Sequence, residues 1–267
     1  RVGNEAGGNG LETTQLSNFT ATSDNSGAKE LWRGPWAGIS RTNWILTNID
    51  KSPKISDAKK TQYKGEAHFL RGLYYFNLVR LFGDVPWIDK QQTASDDLQV
   101  SRTSKDIVYQ HIIDDFSDAA SMLPAVYENT TDIGRATKGA AFGLLAKVYL
   151  TLKRYNETLV AIDSVMNLGV YSLNRKYEWN FSDLRENGPE SLFEVQYEKD
   201  VTAYSEFDIL GQGGWHHEYM APLASINIGG PWGNFGWFAV YPEFVESYEP
   251  GDLRKSVSVW CEGDVYQ

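Results

Sequence analysis

The segment from Gly65 to Trp87, GEAHFLRGLYYFNLVRLFGDVPW, constrains the fold of this chain most strongly. Its large apolar side chains recur every three or four residues, which is the period of an α-helix. One apolar row, continued one turn upstream, contains Tyr63, Ala67, Leu70, Tyr74, Leu78 and Leu81. A second row contains Phe69, Leu73, Phe76 and Phe82. Because one neighbour cannot bury two rows, the pattern predicts a central helix that is packed on more than one side.

The limits of this central helix are chemically defined. It is predicted to start near Ile55 and to end at Phe82, because Gly83 can adopt a helix-capping conformation and Pro86 cannot continue a helix. A loop of about twenty residues, 83–103, follows. Loops of this length in a compact domain are usually functional or cover another element.

Helical patterns also flank the central helix. A first helix is predicted from Ala28 to about Asp50, and its tryptophans fall at helical spacing as core residues: Trp32, Trp36 and Trp44. A third helix is predicted to begin at the capping box Thr103-Ser104-Lys105-Asp106, in which an acid lies three residues after the capping hydroxyl. Pro124 ends this third helix.

The last part of the helical region is predicted to be a hairpin. Helices four and five cover residues 137–153 and 155–167, and the short connection between them requires an antiparallel arrangement. The pattern then changes, and two segments are typical of short strands: Tyr177–Phe181 and Leu192–Tyr197. One more short helix is predicted at Phe244–Tyr248.

Composition excludes several classes of function. A net charge of −10 and a pI near 4.9 argue against nucleic-acid binding, which depends on Lys and Arg to neutralise phosphates, and against docking on anionic lipid. No apolar run approaches the roughly 20 residues that cross a bilayer. With Cys261 as the only cysteine, the chain has no internal disulfide and no cysteine-based zinc site. We predict no cofactor.

Helix pairs of about 34 residues favour tetratricopeptide-like repeats, in which small residues let two helices cross closely. The hairpin carries Phe142, Leu145, Ala146 and Tyr149 at the signature spacing, with Thr158 and Ile162 in the slots that usually hold Ala and an aromatic residue. The earlier helix pair carries Gly72, Tyr75, Phe116, Ala119 and Pro124. An ordinary helical bundle is the alternative explanation.

Five segments of the chain, taken in order, resemble a known family. The first is the central helix with its terminating turn, and the others are Arg102–Asp115, Gly134–Leu150, Ser191–Tyr197 and Tyr241–Arg254. Together they are similar to the SusD/RagB family of outer-membrane nutrient-binding lipoproteins. The resemblance covers most of residues 28–258.

The resemblance implies a mostly α fold. Tetratricopeptide-like helical repeats would form a right-handed superhelix, with long irregular ligand-binding loops and a few short β-strands. We expect a single domain over residues 1–267, made of an irregular lead-in (1–27), a helical repeat region (28–170) and a loop-rich region (171–267). The family's lipidated cysteine and its C-terminal repeat helices are missing from the sequence, so we expect a fragment of a longer protein.

The resemblance also implies a binding function without catalysis. Members of the family capture glycans, or in some cases peptides, and deliver them to a TonB-dependent transporter of the SusC type. They are held by a lipid anchor on the external face of the outer membrane in Bacteroidetes-like bacteria. The membrane would be contacted only through that anchor.

Candidate ligand-binding residues are concentrated between residues 211 and 241. Sugar binding needs flat aromatic faces and polar groups for the hydroxyls, and this glycine-rich segment offers both: Trp215, His216, Tyr219, Trp232, Asn234, Phe235 and Trp237. The alternative is that these aromatics are buried as a satellite core. The resemblance adds three polar residues of the lead-in, Asn18, Asp24 and Asn25.

We predict no metal site, since adjacent His216 and His217 point apart in an extended chain and no nearby ligand completes a set. Two other functions stay open from the residues alone. A helical glycoside hydrolase needs two carboxyl groups across one cleft, and 35 acidic residues neither locate nor exclude such a pair. A tetratricopeptide adaptor would bind peptide in a concave groove and would not need the aromatic segment.

Overall fold

The computed structural model describes residues 15–16, 18–96, 98–196 and 240–259. The chain divides into two compact units. The first, named here the scaffold unit, contains residues 30–174 and 183–195. The second unit contains residues 1–29, 175–182 and 196–267.

Five long helices dominate the described chain. They are α1 (Ser26–Asn48), followed by a 3₁₀ turn at Ile49–Lys51, then α2 (Asp57–Phe82), α3 (Lys105–Met122), α4 (Lys138–Thr151) and α5 (Tyr155–Met166). Their bounds closely match the predicted ones. Gly83 terminates α2 as predicted, with a positive φ of 68° and its N–H donated to the Val79 carbonyl at 3.0 Å.

The central helix α2 is covered on two sides, as its two apolar rows predict. On one side it packs against α3, where Gly72 brings the helices so close that an added Cβ would lie 3.1 Å from the ring of Phe116. On the other side the ring of Trp36 in α1 lies edge-on to Tyr75 at 5.9 Å. Gly38 of α1 lies against the ring of Tyr74, with no room for a Cβ.

Two apolar residues were wrongly predicted to be buried. Leu81 is 57% exposed, because the last turn of α2 is covered on the side of Phe82, where Trp32 packs, and not on its own side. Trp44 is 56% exposed. The neighbouring Asn43 faces the interior instead, and one helical residue is a rotation of about 100°.

The start of α3 differs from the predicted capping box. The side chain of Ser104 makes no capping hydrogen bond. Instead Asp84, from the beginning of the long loop, accepts a hydrogen bond from the Lys105 N–H at 2.8 Å. Thr103 is used in an isolated β-bridge with Val85, in which its N–H donates to the Val85 carbonyl at 3.0 Å. The bridge joins the two ends of the loop and so brings Asp84 to the helix.

The helices of the scaffold unit pack in sequence order: α2 on α3, α3 on α4 and α4 on α5. Three residues connect α4 to α5, so these two helices form the predicted antiparallel hairpin. Thr158 and Ala161 of α5 are buried towards α4. The outer face of α5 is exposed and apolar, and includes Ile162 (44% exposed) together with Tyr155, Leu159 and Met166.

The two predicted strands are not formed in the described residues. Tyr177–Phe181 is a 3₁₀ turn, which brings the rings of Tyr177 and Phe181 to 5.2 Å. Residues 192–196 are irregular, and Tyr197 lies outside the described residues. No partner strand is present among the described residues, and side chains hold this segment instead. Phe193 packs edge-on to Phe69 at 4.9 Å, and Leu192 lies against Gly143.

The described part of the second unit includes the first residues of α1, up to Lys29, together with short helical segments. Among these segments are the turn at Tyr177–Phe181 and the helices α6 (Pro242–Glu246) and α7 (Lys255–Ser258). The helix predicted at Phe244–Tyr248 is therefore present, shifted by two residues towards the N-terminus. Among the described residues of both units, no helix has the length and the hydropathy that crossing a membrane requires.

Candidate functional site

A buried arginine anchors the long loop to the helices. The guanidinium of Arg71 in α2 donates through Nε and Nη2 to the two carboxylate oxygens of Asp115 in α3, at 2.9 and 2.7 Å. Its Nη1 donates to Asn43 Oδ1 of α1 at 2.9 Å and to the carbonyl of Asp89 in the loop at 3.0 Å. Burial alone would lower the pKa of Arg71, but Asp115 more than offsets this and the pKa is raised. One side chain thus joins four elements.

The loop segment beside Arg71 is fixed by further contacts. The Tyr75 hydroxyl accepts a hydrogen bond from the Ile88 N–H at 2.8 Å, and burial raises the pKa of this tyrosine. The Trp87 ring lies flat on His111 of α3, with centroids 4.4 Å apart. Asn43 Nδ2 donates to the Ile88 carbonyl at 2.7 Å. The aromatic and polar groups of the central helix are therefore part of the scaffold.

The predicted site residues fall into two groups. Seven of them lie outside the described residues and stay predictions: Trp215, His216, Tyr219, Trp232, Asn234, Phe235 and Trp237. Of the lead-in residues, Asn18 and Asp24 are exposed. Asn25 is 3% exposed and caps α1, because its Oδ1 accepts from the Ala28 N–H at 2.9 Å. Its Nδ2 donates to Gln15 Oε1.

The scaffold unit also contains an open cavity of about 240 Å³. Its lining combines apolar side chains with hydroxyl, guanidinium and carboxylate groups. The described residues that line it come from four segments, 125–127, 133–137, 170–171 and 187–194. These segments are distant in sequence and follow no common period, so the pattern of the sequence does not reveal the cavity.

Arg135 is held in a fixed orientation at this cavity. Its Nη1 donates to Glu66 Oε2 at 2.6 Å, and its Nε lies 3.0 Å from Asp132 Oδ1. Partial burial on its own would lower the pKa of Arg135, but Glu66 and Asp132 together raise it. Tyr127 lies beside this group and donates from its hydroxyl to the Ala136 carbonyl at 2.8 Å. Burial, followed by the charge of Glu66, raises the pKa of Tyr127.

A second polar group of the cavity lies at the start of α4. Thr137 caps the helix, with its Oγ1 accepting from the Ala140 N–H at 3.1 Å. The same oxygen lies 2.9 Å from the Tyr171 hydroxyl. Across the lining, Glu194 accepts from the Asn187 N–H at 2.9 Å. Each of these groups is positioned by a hydrogen bond within the scaffold unit.

Among the described residues, this lining combines one carboxylate, Glu194, with one guanidinium, Arg135, and several hydroxyl groups. Within the described ranges, no three His, Cys, Asp or Glu side chains gather in an arrangement that holds a metal ion.

Comparisons with known proteins agree on one family. Residues 4–150 match the SusD-like family model, described as starch-binding and associating with the outer membrane. A SusD-like protein of Formosa agariphila is 27% identical over 257 residues, which are 92% of this chain and 48% of the relative. The chain spans about half the length of this relative. It spans 38% and 46% of the lengths of two other relatives.

Solved structures support the same assignment. A SusD superfamily protein from Parabacteroides distasonis superposes with a TM-score of 0.78 at 28% identity, covering 91% of this chain and 50% of that one. A laminarin-binding SusD-like protein gives a TM-score of 0.65 at 28% identity, covering 72% and 42%. The predicted mostly helical, tetratricopeptide-like fold is thereby confirmed.

Proposed function

Because the chain belongs to the SusD-like family of starch-binding, outer-membrane-associated proteins, we propose that it captures glycan nutrients at the cell surface. The observation that carries this proposal is the family match over residues 4–150, more than half of the chain. The likeness to a laminarin-binding protein adds support, since it covers 72% of this chain.

The proposed glycan site uses the aromatic segment 211–241. Pyranose rings present a C–H face that packs on a flat aromatic ring, and Trp215, Trp232 and Trp237 supply the largest such rings of the segment. His216, Tyr219 and Asn234 would bind the sugar hydroxyls. Phe235 and Trp237 would extend the apolar surface. Asn18, Asp24 and Asn25 of the lead-in would add polar contacts; the first two are exposed, and Asn25 also caps α1.

The proposed partner is a TonB-dependent transporter of the SusC type, to which the captured glycan is delivered. The proposed location is the external face of the outer membrane, with a lipid anchor as the membrane attachment. The family's description as associating with the outer membrane supports the location. The transporter and the lipid anchor are proposed from the resemblance to the SusD/RagB family. A pull-down of the tagged chain from Bacteroidetes membranes tests them, and recovery of no TonB-dependent transporter would contradict the partner.

The proposed role includes no catalysis. Incubation of the chain with laminarin, xyloglucan and starch should release no reducing ends, even after many hours. Steady release, lost when one acidic residue is replaced, would establish the glycoside hydrolase alternative. The peptide-binding alternative predicts affinity for a peptide digest and none for polysaccharide.

The direct experiment is affinity gel electrophoresis and calorimetry against a panel of polysaccharides and a peptide digest. We expect retardation by at least one neutral polysaccharide. If the chain binds peptide and no polysaccharide, it functions like the peptide-binding members of the family. A protein that binds neither class at millimolar concentration would contradict the proposed function.

A further inference from the structure

We propose that the cavity of the scaffold unit is a second saccharide subsite, which takes a single neutral sugar ring at the end or at a branch of a glycan. The inference rests on the proposed glycan-binding function. It concerns residues that are separate in sequence from the aromatic segment 211–241, and all of its described lining belongs to the scaffold unit.

The size of the cavity sets the size of the ligand. Pockets for drug-sized ligands are roughly 300–1,000 Å³, and this cavity is smaller, at about 240 Å³. It is also open to solvent. One ring fits such a cavity, while the rest of a glycan chain would continue into solvent. A sugar ring at the end or at a branch of a glycan can enter the cavity alone. A ring in the middle of a glycan has neighbours on both sides and cannot.

Apolar walls face the interior of the cavity. Phe193 is fixed by its edge-on contact with Phe69, and Leu192 by its contact with α4. Val126, Ile133 and Val170 complete the apolar part of the lining. The C–H groups of a sugar ring can be buried against such walls, so the cavity favours a ring over a linear polar molecule.

Hydroxyl and guanidinium groups supply the hydrogen bonds. Thr137 and Tyr171 share one hydrogen bond, so one of their two O–H donors stays available to a ligand. Arg135 uses Nη1 and Nε on Glu66 and Asp132, and its Nη2 amino group makes no hydrogen bond in the described part of the chain. An arginine that two carboxylates hold in place can donate to ring hydroxyls without a large loss of side-chain entropy.

The local charge argues for a neutral ligand. Two cations, Arg135 and Lys59, and two carboxylates, Glu66 and Asp132, form one connected group. The guanidinium of Arg135 is therefore already paired with carboxylates. A uronate or a sulfated sugar would find no unpaired cation in this group, and the net charge of −10 would repel it.

The test measures saturation-transfer NMR between the chain and methyl glycosides of glucose, galactose and xylose. We expect saturable transfer to at least one of them, with a Kd on the order of 1 mM, and no stronger transfer to methyl glucuronide. Ile133→Trp should fill part of the cavity and reduce the transfer at least fivefold. Ile133 is exposed, so the larger ring does not disturb the core. Leu159→Trp, on the exposed face of α5, is the matched control and should leave the transfer unchanged.

Tyr171→Phe provides a second variant, which removes one hydroxyl and keeps the ring. It should reduce the transfer several-fold while the circular dichroism spectrum stays the same. If both variants bind the glycosides as the unchanged chain does, or if no glycoside binds at all, the subsite does not exist. The proposed function would stand in that case, provided that the unchanged chain is still retarded by polysaccharide. If polysaccharide does not retard the unchanged chain in the affinity gel, that separate measurement contradicts the proposed function.

Discussion

Arg71 and Asp115 form a bidentate ion pair inside the scaffold unit, with both residues at least nine-tenths buried. Asp115 also lies 2.7 Å from His68 Nδ1, so its carboxylate serves two partners on α2. A buried charge whose partner is removed is strongly destabilising. This pair therefore holds α2 and α3 together and, through the remaining contacts of Arg71, holds the long loop.

Asp115→Asn should lower the free energy of unfolding by about 3–5 kcal/mol, because it leaves the buried guanidinium without its counter-charge. Urea denaturation followed by circular dichroism measures the change. Asp114→Asn is the matched control on the next residue, where the carboxylate is exposed, and it should change stability by less than about 0.5 kcal/mol. Equal effects of the two variants would contradict the structural role of the pair.

Gly38→Ala should destabilise the chain, although alanine is a better helix former. The new methyl group would collide with the ring of Tyr74, and overpacking of this kind costs roughly 1–3 kcal/mol. Gly34→Ala in the same helix has open space around the new Cβ and is the control. Gly34→Ala should change the free energy of unfolding by no more than about 1 kcal/mol. Alanine favours the helix more than glycine does, but the residue before Pro35 is sterically restricted, and the two effects oppose each other. Thermal unfolding compares the two variants.

Asp84→Ala should cost about 1 kcal/mol of stability, because the Lys105 N–H at the start of α3 loses its acceptor. Ser104→Ala should have almost no effect, since the Ser104 side chain makes no capping hydrogen bond. The capping box that the sequence suggests would give the opposite order. Chemical denaturation of the two single variants decides between these two caps.

Burial raises the pKa of both Tyr75 and Tyr127 above the ordinary value near 10. Their neutral forms are favoured in the folded state, so the unfolded state loses its protons first as the pH rises. The contribution of these two tyrosines to stability should therefore be constant below pH 10 and fall above it. Absorbance at 295 nm should show late-titrating tyrosines, one fewer in Tyr75→Phe. If that variant titrates like the unchanged chain, the burial of Tyr75 is not what delays ionisation.

Trp215→Ala combined with Trp232→Ala should reduce the affinity for the bound polysaccharide at least tenfold, about 1.4 kcal/mol, under the proposed function. Trp44→Ala is the control, because Trp44 is exposed on α1 and belongs to no proposed site. Calorimetry with the polysaccharide selected by the gel panel measures both. Unchanged affinity in the double variant would remove the aromatic segment from the site.

The helices could be predicted because their information is local. Apolar periodicity, the positive φ of Gly83 and the proline after it all act within a few residues. The small residue Gly72 likewise predicts that two helices cross closely, and its contact with Phe116 of α3 confirms this.

What could not be predicted depends on residues far apart in sequence. The cap of α3 comes from Asp84, 21 positions before the N–H that it accepts. The segment after residue 191 has a strand-like pattern, but the ring of Phe69 and the surface of α4 hold it instead of a partner strand. The cavity needs four separate segments, so no window of the sequence contains it.

The bridge between Val85 and Thr103 closes a loop whose length can change. The ends of the loop are closed by that bridge, and its first part is fixed to Arg71 and Tyr75. For a flexible loop with closed ends, each doubling of length costs only about 0.6 kcal/mol. Residues between Gln92 and Arg102 can therefore be inserted or deleted during evolution with little effect on the helices. New surface chemistry can arise there while the helical framework is retained.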